Sequence, residues 1–293
     1  MAPKRVRGFS LLELLVSMAI LLVVAGGIFS SLNYYQKSYD STMLKADMHA
    51  GVRGAAELMA QEIGQAGTVP ASSTTLSGNV TASSLAQTVN IGSSANIFVG
   101  ENLQIDAGTA NETVAVTAVG SGPASIRGVF SKNHSLGAIV AARGVFPEGI
   151  LTGTSTATTL QLFGDINADG TLVYVEYTCD PTNAHTLTRS ITPISSASKS
   201  APVVLVQGLV ANPAGTSCFT YSTATAAGFT FATNVGLTLT TQTSDPDPQT
   251  GSYDTMTKSF LNLSPRNVVA GLALAQAGLT APLESTPPGL PMS

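Results

Sequence analysis

Oxygen-bearing side chains alternate at Asp165, Asn167 and Asp169, followed by Gly170, Thr171 and, at the twelfth position, Glu176. This is the pattern D-x-[DN]-x-[DN]-G-x5-E, in which hard oxygen ligands converge on calcium and the glycine makes the sharp turn. The predicted ligands are Asp165, Asn167, Asp169 and the Thr171 carbonyl, with Ca2+ as the one cofactor the sequence suggests and none that it requires. The flanks LQLF and LVYVEY read as strands, and a rise of about 3.3 Å per residue would carry Glu176 too far to close the cage. Val173, at the ninth position, offers no side-chain ligand. The same residues also suit an Asx-type hairpin turn, because Asp and Asn tolerate left-handed backbone and bond the amides that follow them.

Other chemistry is sparse. His49, His134 and His185 stand alone in the sequence, and Asp106 and Glu112 flank a Gly-Thr-Ala-Asn turn that reads as a solvated hairpin loop. No zinc, nucleophile-elbow or phosphate-loop motif is present, so no enzyme is expected. Cys179 and Cys218 are the two cysteines. In an exported compartment they read as one disulfide. Such a bridge closes a loop of about 40 residues and contributes about 3–4 kcal/mol; two buried free thiols are the alternative.

Glu13 poses a different problem. It stands at the head of an uncharged run from Leu14 to Gln36, rich in Leu, Val, Ile and Ala, with Lys4, Arg5 and Arg7 ahead of it. About 20 apolar residues cross a bilayer, and the basic residues on one side place the N-terminus in the cytoplasm and the remainder outside. A carboxylate held in lipid costs about 2–3 kcal/mol. It therefore needs a partner, or it must snorkel to the nearby interface.

A basic leader ending in Gly8, then Phe9, then Glu13, then an unbroken apolar helix resembles the class III signal of type IV pilins and of type II secretion pseudopilins. The resemblance implies cleavage between Gly8 and Phe9 by a prepilin peptidase, N-methylation of Phe9, and retention of the helix in the inner membrane. It further implies that Glu13 neutralises the terminal amine of a neighbouring subunit during assembly. The segments GAAELMAQEIGQAG, GDINADGTLVYVEY followed by LTR, and NLSPRNVVAG resemble PilW-type minor pilins. The implied role is a structural subunit that initiates or caps a type IV pilus, with other minor and major pilins as partners. A minor pseudopilin of a type II secretion system, or an adhesin displayed on the filament, are the other readings.

The elements that position these residues follow from periodicity. Leu44, Met48, Val52, Ala55, Met59, Ile63 and Ala66 make the stripe of an amphipathic helix, with Lys45, Asp47, Arg53, Glu57 and Glu62 mostly off it. One helix is predicted from about Phe9 to Ala66, weakest at Gly26-Gly27 and ended by Gly67 and Pro70. Beyond it the chain reads as all-β. Five strands are expected in ANIFVG, NLQIDAG, ETVAVTAVG, SIRGVF and GAIVAAR, and more in TTLQLFG, TLVYVEYTC, LTRSITPI, APVVLVQGLV and GLTLTTQT. The fold class is α+β: a long membrane-spanning helix packed on a β-rich domain with an extra small β lobe. The expected divisions are leader 1–8, transmembrane helix 9–32, amphipathic continuation 33–66, small β lobe 67–155, β-sheet domain 156–282 and a disordered tail 283–293.

Charge narrows the partners. Three of the 13 basic residues lie in the leader, so the mature chain carries 10 basic against 17 acidic side chains. That field opposes phosphate, and direct nucleic-acid binding is not expected.

Overall fold

In a computed structural model, residues 10–142, 144–287 and 290 are described. Helix α1 spans Leu11–Gln65, 55 residues, or about 82 Å at 1.5 Å per residue. It continues through Gly26 and Gly27 without a break. Its end is a glycine effect: Gly67 has φ +81, and a Cβ there would lie 2.8 Å from the Phe146 carbonyl oxygen. The Gly67 amide donates instead to Phe163 O at 2.9 Å.

The chain forms two compact units. The first holds α1 as far as His49 together with residues 242–255. Within it, Leu11 through Phe29 present their large apolar side chains to the outside. Two hydroxyls bond back to the helix itself: Ser17 Oγ donates to Glu13 O at 2.7 Å and, just beyond the stretch, Ser31 Oγ to Gly27 O at 3.0 Å. Asp247, in the 242–255 loop, is buried and accepts a 2.7 Å bond from Ser41 Oγ. Lys45 lies 3.4 Å from Asp247 and 3.3 Å from Asp254.

The second unit carries the sheets. In the small lobe, β1 (Ser73–Thr75), β2 (Gln87–Asn90), β3 (Asn102–Ile105), β4 (Glu112–Ala115), β5 (Ala118–Ser121), β6 (Ala124–Gly128) and β7 (Ile139–Ala142) form two sheets, ordered β1-β7-β3-β4 and β2-β6-β5. Leu103, Ile105, Val114, Val89, Ile126 and Phe130 share their core. ANIFVG, expected as a strand, is a turn, because Asn96 and Gly100 both take positive φ. β1 and β2 were not expected, since their short polar sequences carry no apolar run. Phe163 and Leu172, beyond the lobe's expected limit, also pack in its core.

The larger sheets comprise β8 (Thr159–Gly164), β9 (Val173–Asp180), β10 (Thr186–Pro193), β11 (Val203–Gln207), β12 (Leu209–Val210), β13 (Phe219–Ala226), β14 (Phe229–Gln242) and β15 (Thr255–Leu263). One sheet runs β11-β10-β9-β8; the other runs β12-β14-β13, with β15 also paired to β14. Val52, Ala55, Ala56, Met59, Ile63 and Ala66 of α1 pack with Leu160, Val175, Leu187, Phe219, Val235 and Leu237 in one core. Burying Met59 or Ile63 contributes about 1.5–3 kcal/mol each. The amphipathic stripe is therefore real from Val52 onward.

Helix α2 (Arg266–Gln276) and the C-terminal segment also depart from the sequence expectation. The helix packs Val268, Leu272 and Ala275 against Phe231, where no second helix was read. The expected tail begins with buried residues: Leu283 is 3% exposed and Glu284 fully buried. Glu284 Oε2 accepts a 2.7 Å bond from the Asn102 amide, and the Glu284 amide donates to Val145 O at 2.9 Å. Packing of Leu283 with Phe231 and Val268, together with these hydrogen bonds, docks the segment.

Candidate functional site

At the N-terminal end of α1, Ser10 and Glu13 form a reciprocal cap. The Ser10 amide donates to Glu13 Oε2 at 3.1 Å, and the Glu13 amide donates to Ser10 Oγ at 3.2 Å. This is the S-x-x-E capping box, which satisfies two of the helix's free amides and sets an acidic group against the positive end of its dipole. Reading Glu13 only as a burdened charge overlooked Ser10, although the spacing was legible. Gly8 and Phe9 lie outside the described residues.

The Asp165 turn uses its oxygens internally. Asp165 is buried, and its Oδ1 and Oδ2 accept from the amides of Asp169 and Gly170, each at 3.0 Å. Asp169 Oδ1 accepts from the Thr171 amide at 2.8 Å. The Asp169 bond to the amide two residues on is an Asx turn, while the left-handed backbone expected of Asp and Asn falls on Ala168 and Gly170. Glu176 lies on β9, where Tyr174 and Gln161 donate to its Oε2 at 2.8 and 3.1 Å and Lys199 pairs with its Oε1. Asn167 takes no part in these bonds, and the described residues hold no cluster of three or more His, Cys, Asp or Glu side chains suited to a metal.

Cys179 and Cys218 are joined in a disulfide, with Cα atoms 6.5 Å apart. The bond ties β9 to the residue preceding β13, inside the core on which α1 rests.

Two polar clusters went unseen in the sequence. Glu62 is buried, although its place beside the apolar stripe reads as a solvated face. Tyr177 Oη and Arg189 donate to Glu62, with Arg189 Nε at 3.2 Å from Oε2 and the other guanidinium nitrogen on Oε1. Burial, with the Glu62 charge beside it, pushes the Tyr177 hydroxyl above its usual pKa. The second cluster corrects the reading of Asp106 and Glu112 as a solvated hairpin loop and of His134 as isolated. His134 is buried, with Nε2 2.6 Å from Glu112 Oε1 and Nδ1 3.3 Å from Asp106 Oδ2. Burial opposes the Glu112 charge, but donation from His134, Ser131 and Lys132 outweighs it and lowers the pKa. Donation from the Ala107 amide, then from His134, lowers that of Asp106. His49 is exposed on α1, and His185 Nδ1 lies 2.8 Å from Leu209 O.

The site with a functional signature is therefore the N-terminal segment itself: a basic leader, a capped acidic residue and an exposed apolar helix with enough length and hydropathy to cross a membrane. Residues 3–29 match the prokaryotic N-terminal methylation motif. The motif indicates a type IV pilin-like or pseudopilin protein, and with the apolar helix it fits inner-membrane anchoring, an exported C-terminal domain and processing by prepilin peptidase. Proteins with this motif are typically structural subunits that assemble with other pilins. No curated protein and no solved structure matches the chain.

Proposed function

We propose that this chain is a minor pilin of the PilW type, a non-enzymatic subunit that helps to initiate or cap a type IV pilus. The observation that carries the reading is the continuity of the methylation motif with one 55-residue helix, apolar and exposed at its start and buried on a β-rich domain at its end. An exposed apolar half-helix needs lipid before assembly and other helices after it. The additional two-sheet lobe enlarges the exported part beyond what a repeating filament subunit requires, which favours a specialised position.

In this reading Glu13 exchanges its local cap for the Phe9 amine of a neighbouring subunit within the apolar bundle. Glu13→Ala is expected to leave cleavage and membrane insertion intact while excluding the protein from complexes with its partner pilins. Removing one member of a buried charge pair costs about 3–5 kcal/mol. The measurement is co-purification of the variant with other minor pilins and counts of surface filaments in a strain lacking the native copy. Normal complexes and normal filaments would overturn the pairing role.

The methylation motif equally favours a minor pseudopilin. Deletion of the gene separates the two readings: loss of surface filaments supports the pilus, and retention of periplasmic cargo supports the secretion machine. An adhesive role for the small lobe would require the purified exported domain to bind a surface or glycan directly.

A further inference from the structure

We propose that Tyr34, Tyr35 and Tyr39 form an aromatic girdle that seats α1 at the exported lipid–water boundary and fixes the depth of the span before assembly. The inference rests on the reading of α1 as membrane-spanning and adds where that span ends. All three rings are exposed, at 64%, 70% and 65%, and Tyr34 and Tyr35 meet edge to face with centroids 6.1 Å apart. No hydroxyl of the three bonds elsewhere among the described residues, so each is free for a headgroup or water.

The spacing along the helix selects the occupant. Tyr34 lies 21 residues beyond Glu13, about 32 Å along the axis, and Tyr39 lies 26 residues beyond it, about 39 Å. The hydrocarbon core is about 30 Å thick, and about 40–45 Å with its headgroup layers. With Glu13 and its Ser10 cap at the cytoplasmic boundary, Tyr34 and Tyr35 reach the opposite edge of the hydrocarbon and Tyr39 enters the headgroups. The first charges after Glu13, Lys37 and Asp40, fall in the same layer. Tyrosine suits that layer because its ring is apolar and its tip is polar. At 100° per residue the three rings cover an arc of about 140°, broad enough to resist tilting as well as sliding. The same geometry lets Glu13 reside at the inner interface without a partner until another subunit arrives.

The chain contains no tryptophan, so each of Tyr35→Trp, Tyr39→Trp and a mid-span control, Val24→Trp, carries a single reporter. The full-length variants are reconstituted into phosphatidylethanolamine–phosphatidylglycerol vesicles containing lipids brominated either near the headgroup or deep in the acyl chain. The control is expected to be quenched most by the deep label. Tyr35→Trp should be quenched most by the shallow label, and Tyr39→Trp only by the shallow label and more weakly. If the control is quenched by the deep label while both girdle positions escape quenching and are fully open to iodide, the girdle is refuted and the span stands. If the control also escapes the lipid labels, the spanning reading and the girdle fail together.

Discussion

Glu13 and Glu62 stand on the same helix, and their surroundings differ in almost every respect. Glu13 is solvent-facing at the head of an apolar half-helix and is held by the amide and hydroxyl of Ser10. Glu62 is 4% exposed in the half that carries the β-rich domain, and it is held by an arginine and a tyrosine from β9 and β10. Local partners leave a carboxylate available for exchange, whereas partners more than a hundred residues away lock it into the fold. The first half of α1 is therefore suited to an intermolecular role, and the second half to holding one exported domain together.

The strongest way to break this comparison is Glu62→Ala. It leaves the partly buried Arg189 charge and the buried Tyr177 hydroxyl without their partner and is expected to cost up to about 3–5 kcal/mol, read as a lowered unfolding midpoint of the exported domain. Replacing Arg189 by Met in the same chain should recover part of that loss. An unchanged midpoint for Glu62→Ala would show that Glu62 does not hold the exported domain together. Reduction of the Cys179–Cys218 bond is the next largest effect, with an expected loss of about 3–4 kcal/mol from the same core. Neither thiol should take an alkylating agent before reduction, and membrane association through the first half of α1 should be unaffected.

A third carboxylate sharpens the contrast at smaller amplitude. Donation from Ser41, then from the Gln249 amide, with Lys45 close by, lowers the Asp247 pKa to about 2. Because the folded pKa lies below the ordinary value of about 4, the contribution is complete above that value and is lost as pH falls through about 2. Protection of the Gln249 and Gly251 amides, which donate to Asp247 Oδ1 and O, relative to the intrinsic exchange rate at each pH should fall across that window. Protection of the two loop amides that stays constant across that window would remove Asp247 as the grip on α1.

How far these features were legible follows from how local their causes are. The stripe on α1 from Val52 onward, its end at Gly67 and the apolar run after Glu13 depend on spacing within a few residues, and the structure reproduces them. Glu62 could not be placed because the charge that justifies its burial comes from Arg189. Asp106, Glu112 and His134 are likewise joined only by the folding of the small lobe. β13 and β15 escaped notice because most of their residues are not buried, so Ser and Thr dilute any alternation. α2 was legible in principle from Val268, Leu272 and Ala275 at helical spacing, but its Ala- and Gly-rich composition blends with the surrounding β sequence. At the Asp165 loop the flanking strands, legible in the sequence, carry Glu176 away from the turn, whereas the backbone amides that donate to both Asp165 oxygens are seen only in the fold.

The account turns on the N-terminal segment serving as a processed and retained assembly helix. Mass spectrometry of the terminal peptide from membrane-extracted protein tests this most directly. The expected species begins at N-methyl-Phe9, with Glu13 and the whole apolar run still attached. A chain that retains Met1, or one cut beyond residue 25, would contradict it.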